Sequence, residues 1–200
     1  SAVLTRSFDD HGVHSVNTGF SFIYDNFDET LYNIDGGHTE KVPGVFAEYT
    51  FKPDHNLVFM TGIRSDFHNL FGTFVTPRMH LRYSPADQLT LRASAGKGYR
   101  TANVLSENTY LLATSRPLQW EDDVFREEAW NYGVALIQTY TLRNRELQIN
   151  TEYFRTDFSS QLVVDRETSS GYIVLSPLDG KSFANSIQVD VRYEPVARLD

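Results

Sequence analysis

Apolar and polar residues alternate with period two in eight stretches of this chain. From Leu147 onward, Leu147, Ile149, Thr151 and Tyr153 share one face, and Gln148, Asn150 and Glu152 share the other. Successive side chains of an extended strand emerge on opposite sides, so each stretch predicts a β-strand with one apolar and one polar face. The first three apolar faces are Val16, Thr18, Phe20, Phe22 and Tyr24; Val45, Ala47, Tyr49 and Phe51; and Leu57, Phe59, Thr61 and Ile63. Two more follow at Val75, Pro77, Met79, Leu81 and Tyr83, and at Leu89, Leu91, Ala93 and Ala95. The sixth is Trp130, Tyr132, Val134 and Leu136, and the eighth is Ile187, Val189, Val191 and Tyr193.

The connections alternate in length. Short turns rich in Pro, Asp and Asn are expected at Lys52 to Asn56, Ser84 to Asp87 and Leu142 to Arg145. The other corners hold a modest loop from His68 to Thr73 and an excursion from Arg100 to about Glu127. A hairpin extension is expected there too, pairing Gln161 to Asp165 with Tyr172 to Leu175. This asymmetry predicts an all-β, antiparallel up-and-down barrel segment crossing an outer membrane, with short periplasmic turns and longer extracellular loops. A soluble sandwich would also alternate, but it does not explain the distribution of loops. Phe51, Tyr83 and Tyr193 stand beside the short turns, as an interfacial girdle requires. Arg64, Arg78, Arg82, Arg92, Arg192, Glu48, Glu152 and Asp190 fall on the polar faces, which suits a watery or plugged lumen.

Composition narrows the picture. No apolar run reaches the roughly 18 residues of a membrane-spanning helix, whereas a barrel needs only alternate residues to face lipid. Fourteen Phe and 11 Tyr supply the aromatics that strands and girdles prefer. The absence of cysteine rules out disulfides and thiolate zinc sites. A net charge of −8 argues against nucleic acid as a partner.

Four groups of residues offer candidate chemistry. Gly96-Lys97-Gly98 lacks the third glycine of a dinucleotide fingerprint, since Thr101 stands there, and it leaves a strand rather than entering a helix. Asp9, Asp10, His11 and His14 could hold a divalent metal, but a polar loop explains them as well, and no metal site or cofactor is expected. Asp122, Asp123, Glu127 and Glu128 could serve a hydrolase as a carboxylate pair, yet nothing provides a pocket for them. The excursion after the fifth strand is the best ligand candidate. There Tyr99, Arg100, Tyr110, Arg116 and Trp120 combine aromatic platforms with cations, and Leu111 and Leu112 lie among them. Packing of loop on loop accounts for the same residues equally well.

Several segments resemble the barrel of TonB-dependent outer-membrane receptors. They are Pro43-Gly-Val-Phe-Ala-Glu-Tyr-Thr-Phe51, Thr61-Gly-Ile-Arg-Ser-Asp66 and Thr76-Pro-Arg-Met-His-Leu-Arg-Tyr-Ser-Pro85. Leu91-Arg-Ala-Ser-Ala-Gly-Lys-Gly-Tyr-Arg-Thr-Ala102 is similar to the family's strand-top run ending in an aromatic-Arg pair, although Thr101-Ala102 lacks the usual proline. Glu128-Ala-Trp-Asn-Tyr-Gly133 and Tyr153-Phe-Arg-Thr-Asp-Phe158 fit as well, in the style of receptors from Bacteroidetes.

The resemblance implies that residues 1–200 form a middle-to-late part of a 22-stranded barrel in a Gram-negative outer membrane, without its plug domain. The last residues, from Tyr193 to Asp200, read as a strand end running into another turn, in keeping with a partial barrel. It further implies import of a scarce ligand (an iron chelate, cobalamin or a glycan), with lipid, the protein's own plug and a TonB complex as partners. On that reading Arg78, Arg92 and Glu152 contact the plug from the lumen wall. A complete eight-stranded barrel acting as an adhesin or anchor is the alternative, because eight strands can close a small barrel.

Overall fold

A computed structural model shows the architecture; it describes residues 1–9, 12–28, 30–31, 34–35, 37–102, 106–114, 116–120, 125–167, 171–178 and 180–193. In chain order the strands are β1 (Ala2–Ser7), β2 (His14–Phe27), β3 (Thr30–Leu31), β4 (Ile34–Asp35), β5 (His38–Phe51), β6 (Leu57–His68) and β7 (Gly72–Ala86). They continue as β8 (Leu89–Ala102), β9 (Leu118–Trp120), β10 (Phe125–Leu142), β11 (Arg145–Ser160), β12 (Leu162–Asp165), β13 (Ile173–Pro177) and β14 (Ser182–Tyr193). One 3-10 segment, Ser106–Ala113, precedes β9.

Nine strands form one antiparallel sheet in the order β1-β2-β5-β6-β7-β8-β10-β11-β14. Each expected strand is present, and β1 adds a ninth that the sequence pattern did not reveal. Among the described residues β1 and β14 are the two edges and do not pair with each other, so the sheet is open and is not a closed eight-stranded barrel. The strands also outrun their expected limits. The connection between β6 and β7 shrinks to residues 69–71, and β8 continues to Ala102. The turn placed at Ser84 to Asp87 lies at residues 87–88 instead, because the β7–β8 register slips between Tyr83 and Ala86.

The turn chemistry follows local rules. Asp54 Oδ1 accepts from the backbone N–H groups of Asn56 and Leu57 at 2.7 and 3.0 Å. Arg143 and Asn144 close the β10–β11 hairpin with φ of 50° and 61°, the left-handed conformation that a tight two-residue turn needs.

The two faces of the sheet differ as the alternation requires. Phe20, Phe22, Tyr24, Val45, Ile63, Val75, Met79, Leu91, Tyr132, Val134, Ile187, Val189 and Val191 are all exposed on one side. Among the described residues no second layer covers them. The buried core lies at the loop end instead, where Leu111, Phe125, Ile173 and Leu175 pack with Ala102. In a soluble sandwich the apolar sheet face would itself be the buried interior. A broad exposed apolar face marks a surface that meets a partner or lipid.

Candidate functional site

The loop end is built from two excursions that fold together. β12 pairs antiparallel with β13, giving the expected hairpin, and β13 pairs parallel with β9 through Ile173↔Leu118 and Leu175↔Trp120. Leu111, Ile173 and Leu175 are nearly inaccessible beneath this small sheet, and Leu118, Leu162 and Val164 pack against them. Loop-on-loop packing therefore organises the excursion.

Of the residues expected to bind ligand, Tyr99 and Arg100 line one shallow concavity. Arg100 is bracketed: Nη1 and Nη2 donate to Glu107 at 2.9 and 2.8 Å, and Nε donates to Glu127 at 2.6 Å. Partial burial is the largest influence and opposes its charge, but the hydrogen bonds and charges of Glu127 and Glu107 outweigh it and hold the guanidinium ionised. Tyr99 stacks on Phe74 with ring centroids 3.8 Å apart. Arg116 Nη1 donates to the Arg166 carbonyl at 3.1 Å, and the Arg166 guanidinium lies 5.1 Å from the Tyr110 ring centre. Tyr110 is exposed. Trp120 ends β9, and Leu112 belongs to the 3-10 segment.

A second polar cluster, missed in the sequence, lies where β8 leaves β7. The β7–β8 ladder runs only as far as Arg78↔Gly96, whereas β8 stays paired with β10 to Ala102↔Phe125. Released from β7, upper β8 brings Tyr99 to Phe74 and Thr101 to His68, with Thr101 Oγ1 3.4 Å from Nε2. His68 Nδ1 accepts from the Leu70 N–H at 3.1 Å, so its Nε2 carries the ring proton. That nitrogen lies 3.5 Å from Glu40 Oε2, and His38 Nε2 lies 3.3 Å from Glu40 Oε1. Alongside, Arg64 forks onto Asp66 through Nε and Nη2 at 2.6–2.9 Å and donates to Ser21 Oγ at 2.6 Å. Gly44 stands opposite Asp66, and any β-carbon there would collide with the carboxylate. The spacing of Arg64 and Asp66 puts them on one face; the contacts of Tyr99 and Thr101 have no local signal.

Lower on the polar face, Arg78 pairs with Glu48 at 2.6 Å. Arg92 and Glu152 line a concavity of about 300 Å³ together with Val58, Met60, His80 and Arg82. Glu152 Oε1 accepts from Asn150 Nδ2 at 2.8 Å.

The remaining candidates resolve structurally. Asp9 binds the N–H groups of Val13 and His14 at 2.7 and 2.6 Å, and His14 Nδ1 contacts Tyr49 Oη at 2.7 Å; Asp10 and His11 lie outside the described residues. Glu127 is held by Arg100 and the Leu162 N–H, and Glu128 pairs with Lys97 at 2.8 Å; Asp122 and Asp123 also lie outside the described residues. Each glutamate is therefore engaged by a cation of β8 rather than by the other carboxylate. Gly96, Lys97 and Gly98 are strand residues of β8.

The model of the family described as TonB dependent receptor-like, beta-barrel, matches residues 4–191. The chain belongs to that family. A ferric enterobactin receptor (PfeA) variant from Pseudomonas aeruginosa, solved with enterobactin, superposes with a TM-score of 0.70 at 14% identity, covering 94% of this chain and 32% of that one. The siderophore receptor PirA from the same organism gives 0.68 at 13% identity, covering 89% and 36%. The hemophore receptor HasR of Serratia marcescens, solved with its hemophore HasA and heme, gives 0.65 at 15%, covering 96% and 38%. At such identities the likeness concerns fold, and the chain spans about a third of the length of these receptors. A search among curated protein sequences finds no match.

Proposed function

We propose that the chain is barrel wall from an outer-membrane TonB-dependent transporter of Bacteroidetes type, which imports a scarce ligand and performs no covalent chemistry. The observation that carries this reading is the nine-stranded meander with an exposed apolar face on one side and Arg–acid pairs on the other. Lipid would cover the first face; water and a plug domain would fill the second. An iron chelate is the first ligand to test, ahead of cobalamin and glycans, because the superposed receptors are described with siderophores or heme.

Capture of ligand would fall to the loop end, through Tyr99, Arg100, Tyr110, Arg116 and Trp120. Tyr110 is the leading contact, being exposed with a guanidinium beside its ring. Arg100 would act by holding the loop through its two glutamates. Arg78, Arg92 and Glu152 would meet the plug.

The test uses the whole receptor in its own cell. Uptake of ferric chelates, cobalamin and oligosaccharides is measured in strains lacking the receptor or lacking TonB. Loss of one uptake in both strains supports the reading, and unchanged uptake of all three classes overturns it. Tyr110→Ala should weaken binding of the ligand so found by more than about 1 kcal/mol, the usual threshold for an aromatic anchor.

A further inference from the structure

Five arginines were expected on the polar face, and three of them have acidic partners. Arg64 is forked onto Asp66, Arg78 is paired with Glu48, and Arg192 Nε lies 3.0 Å from Asp190. Arg82 and Arg92 differ. They stand directly opposite each other in the β7–β8 register, and among the described residues neither makes an ion pair. Like charges placed directly opposite each other on neighbouring strands are destabilising.

Among the described residues the surroundings offer these two cations one acid, Glu152, and it pairs with neither. Arg92 is in register with Ala135, which is in register with Glu152, so the nearest acid on this row is two strands away. Arg78 and Glu48 have the same separation but close it across Gly62. Glu152 is instead engaged by Asn150. His80 and Ser94, themselves opposite each other in register, add two more polar groups to the wall. Val58, Met60 and Phe154 supply its apolar part, and the half-open concavity measures about 300 Å³.

Two guanidiniums that share one cavity with a single acid, Glu152, leave a positive charge unmatched and form a receptor for an oxyanion. Each presents a planar fork of N–H donors that matches a carboxylate or phosphate bidentately. We propose that Arg82 and Arg92 form an anion-binding station on the lumen wall, near the short-turn end, that takes a carboxylate- or phosphate-type group. The anion cancels the repulsion between the pair, so the site is more stable when filled. The group can come from a soluble anion in the lumen or from an Asp or Glu side chain of a plug domain seated inside the barrel.

This inference rests on the barrel reading, so the experiment reports on the two separately. Full-length receptor is purified in detergent, and heat-modifiability on gels shows whether a barrel has formed. Thermal unfolding is then followed with and without citrate and inorganic phosphate for the parent, Arg82→Gln, Arg92→Gln and the turn variant Arg145→Gln. If the station takes soluble anions, the parent and Arg145→Gln gain several degrees with anion, and the other two variants lose that gain. If a plug carboxylate fills it, the parent shows no anion effect, but Arg82→Gln and Arg92→Gln raise single-channel conductance in planar bilayers while Arg145→Gln does not. A folded, heat-modifiable receptor in which neither effect depends on Arg82 or Arg92 overturns the station and leaves the barrel standing.

Discussion

Arg78 Nη2 lies 2.6 Å from Glu48 Oε2, although the two residues sit on strands separated by a third. The intervening register position is Gly62, which puts no side chain between them. Asn17 Nδ2 donates to the other glutamate oxygen at 3.2 Å, so a polar row runs across β2, β5 and β7. Arg78 remains about half exposed, and pairs of that kind contribute at most about 1 kcal/mol. Arg78→Ala should therefore shift the heat-modifiability midpoint only slightly. Gly62→Leu, which forces a side chain into the row, should shift it further.

The faces should respond unequally to a cation. Leu91→Arg and Val189→Arg place a charge on the exposed apolar side. If lipid covers it, each costs about 2–4 kcal/mol near the bilayer midplane. Thr90→Arg and Gln188→Arg point the other way and should assemble almost normally, the first losing only a hydroxyl contact with Ser84. Quantifying heat-modifiable receptor in membranes checks the contrast; equal tolerance of all four would reject the assignment of faces.

Phe154 lies over Gly133 on the neighbouring strand. A β-carbon at Gly133 would come within 2.5 Å of the ring and 2.8 Å of Ser94 Oγ. Gly133→Val should destabilise the barrel by about 1–3 kcal/mol, as overpacking generally does. Phe154→Leu in the same molecule should recover part of the loss. A double-mutant cycle on thermal midpoints reads the coupling, and strict additivity would mean that the ring does not sit there in the assembled barrel.

The β10–β11 turn gives a stability test and a topology test. Asn144→Val puts a β-branched residue at φ of 61° and should cost about 1–2 kcal/mol, whereas Asn144→Gly should be neutral or better. Cysteines at Asp54, Asp87 and Asn144 should resist a membrane-impermeant thiol reagent on intact cells, and those at Asn69 and Glu107 should react. Comparable labelling of Asp87 and Glu107 would reject this assignment of turns and loops to opposite sides.

Ile173 holds the two excursions together, being 1% exposed against Leu111 and Leu175. Ile173→Ala should cost about 2–5 kcal/mol of local stability, the usual price of a cavity in a core. Limited proteolysis should then cut the loop end while the strands stay protected. For the same reason, deleting Asn108 to Gln119 would remove Leu111 and most of β9 and uncover this core, which makes single substitutions such as Tyr110→Ala the cleaner probe of binding.

The sequence by itself determined the strands and the face on which each side chain falls, because alternation is a property of the extended backbone at each residue. It therefore placed Leu91 and Val189 on one side and Arg78, Arg92 and Glu152 on the other. It could not determine which residues meet across strands, since register depends on twist, on slips such as that at Tyr83 and on the lengths of distant loops. Arg78 found Glu48, while Arg92 was left facing Arg82. β1 carries no such signal, because Ala-Val-Leu-Thr-Arg-Ser runs from apolar to polar without alternating. The parallel pairing of β9 with β13 and the departure of β8 from β7 were likewise decided only in three dimensions. Both depend on segments far apart in the chain, whose shared apolar surface is buried only when they meet.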